Sequence, residues 1–318
     1  ASQTSNSRIQ LARWLDAMQG SNHQIKTAAY KISSPHNLNI DWTLDCLLNI
    51  YDPKVISLDN DNLNIYYEQI KSFAPDLIIS DLEYFTSYVA NLLNIKLWQC
   101  SSTLINYGLF KNQKYNFGLH KFYAKALYND FQTKQIVNII NNSSYNLIYS
   151  HFGDTDNPPD LQPNFEWIRP YHQTHKVSKP CQHFIVAGLS NNNKKIINTL
   201  RSYSDSVVFM ENNIEKYSNL TAKSLEMKEE YYCNLRNCQH FICQGQASFL
   251  ADAYYNGKFS IIYPNYQDPE AIINSHLSTK LSLAAIPGYD NHIIDYPENV
   301  SINYNNIKYL HQKIEEIL

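Results

Sequence analysis

Glycine is scarce, with 8 among 318 residues, and the chain also holds only 3 methionines and 6 cysteines, while 17% of its positions are charged. Each shortage excludes something. The 26 Lys+Arg nearly balance the 29 Asp+Glu, leaving a net charge of −3. No global basic field exists to hold a polyphosphate backbone, so nucleic acid is not an expected partner. Cys46, Cys100, Cys181, Cys233, Cys238 and Cys243 are scattered without the paired spacing of a disulfide framework, which fits a reducing compartment. The last three recur every five residues, whereas a zinc site shows shorter gaps and a fourth ligand close by, so no metal is expected there. No apolar run approaches the roughly 20 residues that cross a bilayer, and no charged-then-apolar leader opens the chain. The expected location is cytoplasmic, with peripheral contact at the cytoplasmic membrane face left open.

What is abundant supports a core. The chain is 44% hydrophobic and 13% aromatic, enough apolar surface to fold, and its length fits about two domains of roughly 150 residues. The 25 tyrosines and 37 asparagines fit a nucleotide-composition bias and point to no function.

Short apolar or β-branched runs alternate with helical stretches, the pattern of βα units around a parallel sheet. In the first half, strands are expected at 25–30, 54–58, 76–81, 96–101 and 146–151. Ile9, Leu11, Ala12, Leu15 and Met18 form one helical stripe, and Tyr84, Tyr88, Leu92 and Leu93 form another. From Asp154 to Pro180 the texture turns proline-rich and aperiodic, as in a linker. The alternation then resumes with strands at 183–189, 206–210, 240–244, 259–263 and 281–284, before a last helix at 305–318. The expected fold class is α/β, with two Rossmann-like domains facing across a cleft. The expected division is 1–160 for an N-terminal Rossmann-like domain, 161–180 for a linker and 181–318 for a C-terminal Rossmann-like domain. Because Ala1 leads straight into a polar loop and helix, where a Rossmann unit needs a strand, residues are expected to precede it.

The most informative stretch runs over 237–285. A strand, His240-Phe241-Ile242-Cys243, is followed by Gln244-Gly245-Gln246-Ala247-Ser248, a helix over about 249–256, Gly257-Lys258, and a second strand to Pro264. A strand, a small-residue turn and a helix N-terminus present backbone N–H groups and partial positive charge to an anion such as a diphosphate. Gly257 fits the helix end, and Asp252 is placed to accept from vicinal sugar hydroxyls.

This segment resembles the donor site of GT-B glycosyltransferases, in particular the UDP-glycosyltransferase and macrolide-glycosyltransferase-like group. The family pattern is a strand, His-Gly-Gly-x-Ser-Thr, a helix bearing Glu, Gly-x-Pro, a strand, Pro, and an acidic or Gln pair before Asn-Ala. Here it reads Gln244-Gly245-Gln246-Ala247-Ser248-Phe249, Asp252, Gly257-Lys258-Phe259, Pro264, Gln267-Asp268, Glu270 and Asn274-Ser275. The resemblance implies that Gln244, Gly245, Gln246, Ala247 and Ser248 hold the donor phosphates. It implies that Asp252 holds the ribose and that Asp268 with Glu270 holds the transferred sugar. Gly188 and the following loop with Ser190 correspond to a donor-facing turn, or to a solvated one. Phe73-Ala74-Pro75-Asp76-Leu77-Ile78-Ile79-Ser80-Asp81-Leu82-Glu83 and Phe165-Glu166-Trp167-Ile168-Arg169-Pro170 also resemble family segments.

Three positions depart from the pattern. The family's N-terminal Gly-x-Gly-His-x-x-Arg carries the general base in its His, whereas Ser2 to Arg8 keeps Arg8 and places Ser5 at the His position. Gln244 replaces the phosphate-binding His and cannot add charge. Gln246 replaces a glycine and puts a side chain near the approach to the diphosphate. A base must then come from elsewhere. Candidates are Asp81 and Glu83 at the carboxyl end of a strand, with Asp81 equally suited to cap the next helix, and His151 at another strand end. Asp154-Thr155-Asp156 and Asp59-Asn60-Asp61 spell a metal-diphosphate triplet of a different glycosyltransferase fold, outside its context. Between Tyr107 and Tyr128, four lysines interleave with aromatics, which suits an acceptor pocket, anionic lipid headgroups or a plain surface helix.

The expected function is metal-independent, inverting transfer of a sugar from a nucleotide-diphosphate donor, acting as substrate and not cofactor, to a hydroxyl acceptor on a small molecule, glycan or lipid-linked compound. Two alternatives stay open. One is a GT-B-fold binding or regulatory protein that has lost turnover, and the other is an enzyme resembling nucleotide-sugar epimerases.

Overall fold

The structure, a computed structural model, describes residues 24–26, 61–82, 84–110, 137–170, 185–189, 194–200, 206–210, 221–224, 228–287 and 314. The elements expected at 9–18 and 54–58, most of those expected at 25–30 and 305–318, the Lys-aromatic run beyond Phe110, and site residues Ser5, Arg8, Glu83 and Ser190 lie outside these residues; Ile25 and Lys26 are described and are not in a strand. Contacts divide the chain into two compact units. One includes the elements up to Tyr149, and the other includes Ser150–Leu161 and the chain from Trp167 onward.

In the first unit, helix α1 (Asp61–Phe73) leads to strand β1 (Leu77–Ser80), helix α2 (Tyr84–Leu92), strand β2 (Lys96–Ser101) and strand β3 (Tyr145–Tyr149). Strand β4 (Phe165–Ile168) completes a four-stranded sheet in the order β1-β2-β3-β4. The β1–β2 and β2–β3 pairs are parallel, with Leu77 opposite Lys96 and Trp98 opposite Tyr145. After Lys96 every residue of β2 is buried, as expected of a central parallel strand covered on both faces. Fully buried Trp98 lies 5.5 Å from the Tyr145 ring. Helix α2 forms where its stripe predicts, but the face it buries runs through Ser87 to Ala90. Leu92 stands 50% exposed.

The second unit carries six strands, β5 (Ile185–Leu189), β6 (Ser206–Met210), β7 (Thr221–Ser224), β8 (His240–Cys243), β9 (Ser260–Ile262) and β10 (Ala284–Ala285). They lie in the order β10-β9-β8-β5-β6-β7, with every pair parallel. The helices are α3 (Lys194–Leu200), α4 (Lys228–Asn237), α5 (Ala247–Tyr255) and α6 (Pro269–Lys280). Ile196, Ile197 and Leu200 of α3 pack on Leu189, Val208 and Ile242 of the sheet. Fully burying each such side chain is worth about 1.5–3 kcal/mol. From β5 the strands run outward one way to β7, and from β8 the other way to β10. The order therefore reverses between β5 and β8, the position at which ligands of open α/β sheets bind beyond the strand ends.

The parallel α/β class expected from the alternation is what the structure shows. Strands β2 and β6 match their expected bounds, while β4 and β7 were not anticipated. Strand β4, Phe-Glu-Trp-Ile, sits in proline-rich sequence that reads as linker, and β7 is the polar tetrapeptide Thr-Ala-Lys-Ser at a sheet edge, with no apolar run to mark it.

Candidate functional site

At the carboxyl end of β8 the chain turns through Gln244, Gly245 and Gln246 into α5. Gly245 has φ +93°, a conformation that an L side chain rarely adopts. Space imposes glycine as well. A Cβ at this position would stand 2.6 Å from the Ala271 carbonyl oxygen and 2.7 Å from Ser275 Oγ, both on α6. The turn is thus pressed against the flank of α6, and Asn274 Nδ2 donates to the Gly245 carbonyl at 3.1 Å.

Gln246 occupies the N-cap of α5, and its side chain makes no capping hydrogen bond. The first amides of a helix have no carbonyl four residues back to accept them, and the helix dipole adds partial positive charge there. The turn is enclosed, with Gln244 1% exposed and Gln246, Ala247 and Ser248 6–7% exposed. Behind it, burial pushes the Cys243 thiol up to about 12, against a backbone hydrogen bond from Gly245. This cysteine stays a protonated packing group.

The structure brings Gly188, at the end of β5, to the same edge of the sheet. A Cβ on it would meet the Phe249 ring at 2.8 Å and the Phe241 ring at 3.1 Å, so the absent side chain lets α5 pack on the sheet. Asp252 is buried on α5, where it accepts a long 3.4 Å hydrogen bond from the Tyr232 hydroxyl of α4. The carbonyls of Ala253, Asp252 and Tyr254 accept the Asn256 amide at the end of α5, and Gly257 follows at φ +67°, as its expected role in ending the helix requires. Lys258 turns inward and donates to the Cys238 carbonyl beyond α4 at 2.8 Å.

Asp268 is the N-cap of α6, with its carboxylate accepting from the Glu270 amide at 2.9 Å and Pro269 entering the first turn. Burial raises its pKa, and backbone hydrogen bonds from Ala271 and Glu270 pull it back down. Asp268 and Glu270 therefore begin the same helix whose middle, Ala271 to Ser275, backs the Gly245 turn.

His151 lies elsewhere, at the opposite end of α5. It opens a short turn, His151–Asp154, with its ring 4.2 Å from Phe152 and 5.2 Å from Tyr254. It is 1% exposed, its Nδ1 has no partner among the described residues, and burial lowers its pKa to about 3. Beside it is a cluster that sequence reading missed. Asp154 accepts from the Tyr255 hydroxyl at 2.6 Å through its carboxylate and from the Tyr254 hydroxyl at 3.0 Å through its carbonyl. Its carboxylate pairs with Arg169 Nε at 3.5 Å, and that guanidinium lies 4.7 Å from the Tyr255 ring center. The first aspartate of the Asp-x-Asp triplet is thus committed to a buried ion pair. Among the described residues no group of three His, Cys, Asp or Glu is placed to hold a metal.

Asp81 belongs to the first unit, just beyond β1, and its charge adds to the burial that raises the Cys100 pKa. The next residue, Leu82, has φ +52° and donates its amide to Gln99 Oε1 at 3.0 Å. Fully buried Gln99 also donates to Ser87 Oγ at 3.0 Å, tying β2, the turn after β1 and α2 together. Among the described residues no helix is long and apolar enough to cross a membrane.

Known proteins add a family to this geometry. Among solved structures, the chain is similar to the spinosyn forosaminyltransferase SpnP, with 12% identity over 80% of this chain and 72% of that one and a TM-score of 0.48. The spinosyn rhamnosyltransferase SpnG, complexed with spinosyn aglycone, is 10% identical over 88% and 82%, with a TM-score of 0.47. The glycosyltransferase SnogD from Streptomyces nogalater is 13% identical over 71% and 63%, with a TM-score of 0.40. No curated protein matches the chain. A family model described as glycosyl transferase family 1 matches residues 45–291, a span that takes in every strand of both sheets. The chain therefore belongs to glycosyl transferase family 1, a family of GT-B fold.

Proposed function

We propose that the protein transfers a sugar from a nucleotide-diphosphate donor to a hydroxyl acceptor, with the donor held by the second unit and the acceptor side falling to the first. The observation that carries this reading is the junction of β8 and α5. It lies at the reversal of strand order and is built from Gly245 in a left-handed turn and a helix start without a side-chain cap. Anions settle at such helix starts because backbone amides and the dipole both favour negative charge. The same donors stabilise the charge that develops on a departing diphosphate, without a metal ion in that role. Asp252 would accept from the ribose hydroxyls, exchanging its long bond to Tyr232 for them, and Glu270 with Asp268 would face the sugar.

For removal of the acceptor proton, Asp81 is the better candidate than His151. His151 is 1% exposed and packed against Phe152 and Tyr254, which closes it to an acceptor hydroxyl, whereas Asp81 sits at a strand end with its side chain not fully buried. Inversion at the sugar carbon follows from direct displacement by the acceptor oxygen.

A second reading, a binding protein of the same fold without turnover, is favoured by the near-complete burial of Gln244 and by its lack of charge at the phosphate position. Release of nucleoside diphosphate from a panel of nucleotide sugars, with and without acceptors, separates the two. Turnover that disappears in Asp252→Ala is the expected result. Binding of UDP, GDP or thymidine diphosphate with no release from any donor would establish the second reading, and epimerised donor without acceptor would replace both.

A further inference from the structure

We infer that Asn274 is a positioning residue for the diphosphate, acting through Gly245; the inference rests on the donor-site reading above. Asn274 is 0% exposed in the middle of α6, and a purely packing role there calls for an apolar side chain. Its amide is instead only half satisfied. Nδ2 donates to the Gly245 carbonyl, 29 residues earlier in the chain, while Oδ1 is buried with no hydrogen-bond partner among the described residues. Leaving such an acceptor unpaired is a net cost to folding. The cost goes with control of one peptide plane. A peptide unit is flat, so fixing the Gly245 carbonyl fixes the whole Gly245–Gln246 plane, from which α5 and its first-turn amides start.

Glycine itself supplies no such control, since its backbone rotates more freely than that of any other residue. Packing limits the turn from one side, through Ala271 and Ser275, but it does not orient a carbonyl. The neighbouring hydroxyl is not available for that task, because Ser275 Oγ donates to Ala271 at 2.6 Å within its own helix. Asn274 thus supplies a directional contact from α6 to the turn. It also ties the turn to the helix that Asp268 and Glu270 begin, so the groups assigned to phosphate and to sugar move as one body.

The test compares a ligand with phosphates to one without. UDP, GDP and thymidine diphosphate, and the corresponding nucleosides, are titrated against wild type, Asn274→Leu and Asn274→Ser, with thermal unfolding of each protein recorded. The expected result is a loss of about tenfold in affinity for the diphosphate that wild type binds, with affinity for its nucleoside within about twofold and unfolding still cooperative. Equal loss for both ligands, no loss for either, or failure of both variants to fold cooperatively would make Asn274 a structural residue and overturn the inference alone. Wild type that binds none of the three diphosphates would bring down the donor-site reading and the inference with it.

Discussion

At its C-terminal end α5 is held by charge, and at its N-terminal end by main chain. Tyr255 and Arg169 converge on the Asp154 carboxylate in a setting where both ionic side chains are 3% exposed, and Tyr254 adds a bond to the Asp154 carbonyl. Around the N-terminal turn, Gln244 to Ser248 carry no charge, and the described contacts of Gly245 run to backbone, a hydroxyl and one amide of α6. The difference matches the proposed division of labour: Tyr255, Arg169 and Asp154 pair with one another and fix the far end of α5, while the near end, with no charged side chain from Gln244 to Ser248, is the end proposed to hold the donor phosphates.

The largest expected effect comes from breaking the charged end. Asp154→Ala leaves Arg169 buried without its carboxylate and should cost about 3–5 kcal/mol of unfolding free energy, measured by urea denaturation. Nucleoside diphosphate affinity of the fraction that remains folded should change little. Gly245→Ala strikes the other end. Strain at φ +93° and a Cβ 2.6 Å from the Ala271 oxygen should cost about 1–3 kcal/mol, and here diphosphate affinity should fall together with stability. If Asp154→Ala weakens the ligand as much as Gly245→Ala does, the two ends are not separable.

The charged end also has a proton signature. His151 has a pKa of about 3 in the folded protein against an ordinary 6.5, so between those values the unfolded chain binds a proton that the folded one refuses. Stability is therefore lost as pH falls through about 6.5 toward 3, with a slope approaching about 1.4 kcal/mol per pH unit for this residue. His276, lowered to about 4 by burial and by Lys280, contributes in the same direction at α6. His151→Phe, which keeps an aromatic ring between Phe152 and Tyr254, should remove one proton from that dependence in urea midpoints taken across pH 4 to 7. The smallest effect sharpens the comparison at the uncharged end. Gln246→Ser supplies the missing cap and should stabilise by about 0.5–1 kcal/mol, while weakening diphosphate binding because the serine oxygen competes for first-turn amides.

Local signals in the sequence reached the N-terminal side of this contrast and not the other. A strand, a glycine turn, a helix and a terminating Gly257 follow one another within 240–257, and each has its own residue pattern, so β8, α5 and its end were legible. The Asp154 cluster joins residues about a hundred positions apart, and no spacing rule links an aspartate after one strand to two tyrosines at the end of a distant helix. Asn274 was visible in the motif, but its contact to Gly245 depends on how α6 lies along the turn, which periodicity does not encode. Leu92, part of the expected apolar stripe, stands exposed because the last turn of α2 buries Val89 and Ala90 instead.

The fit of Gly245 against α6 has an evolutionary consequence. Any side chain there would have to displace a helix backbone, so selection for folding alone retains this glycine, whether or not a descendant still turns over substrate. Its presence records an intact architecture. Its neighbours Gln244 and Gln246 carry no positive φ, so backbone geometry does not prescribe their side chains as it prescribes the glycine between them.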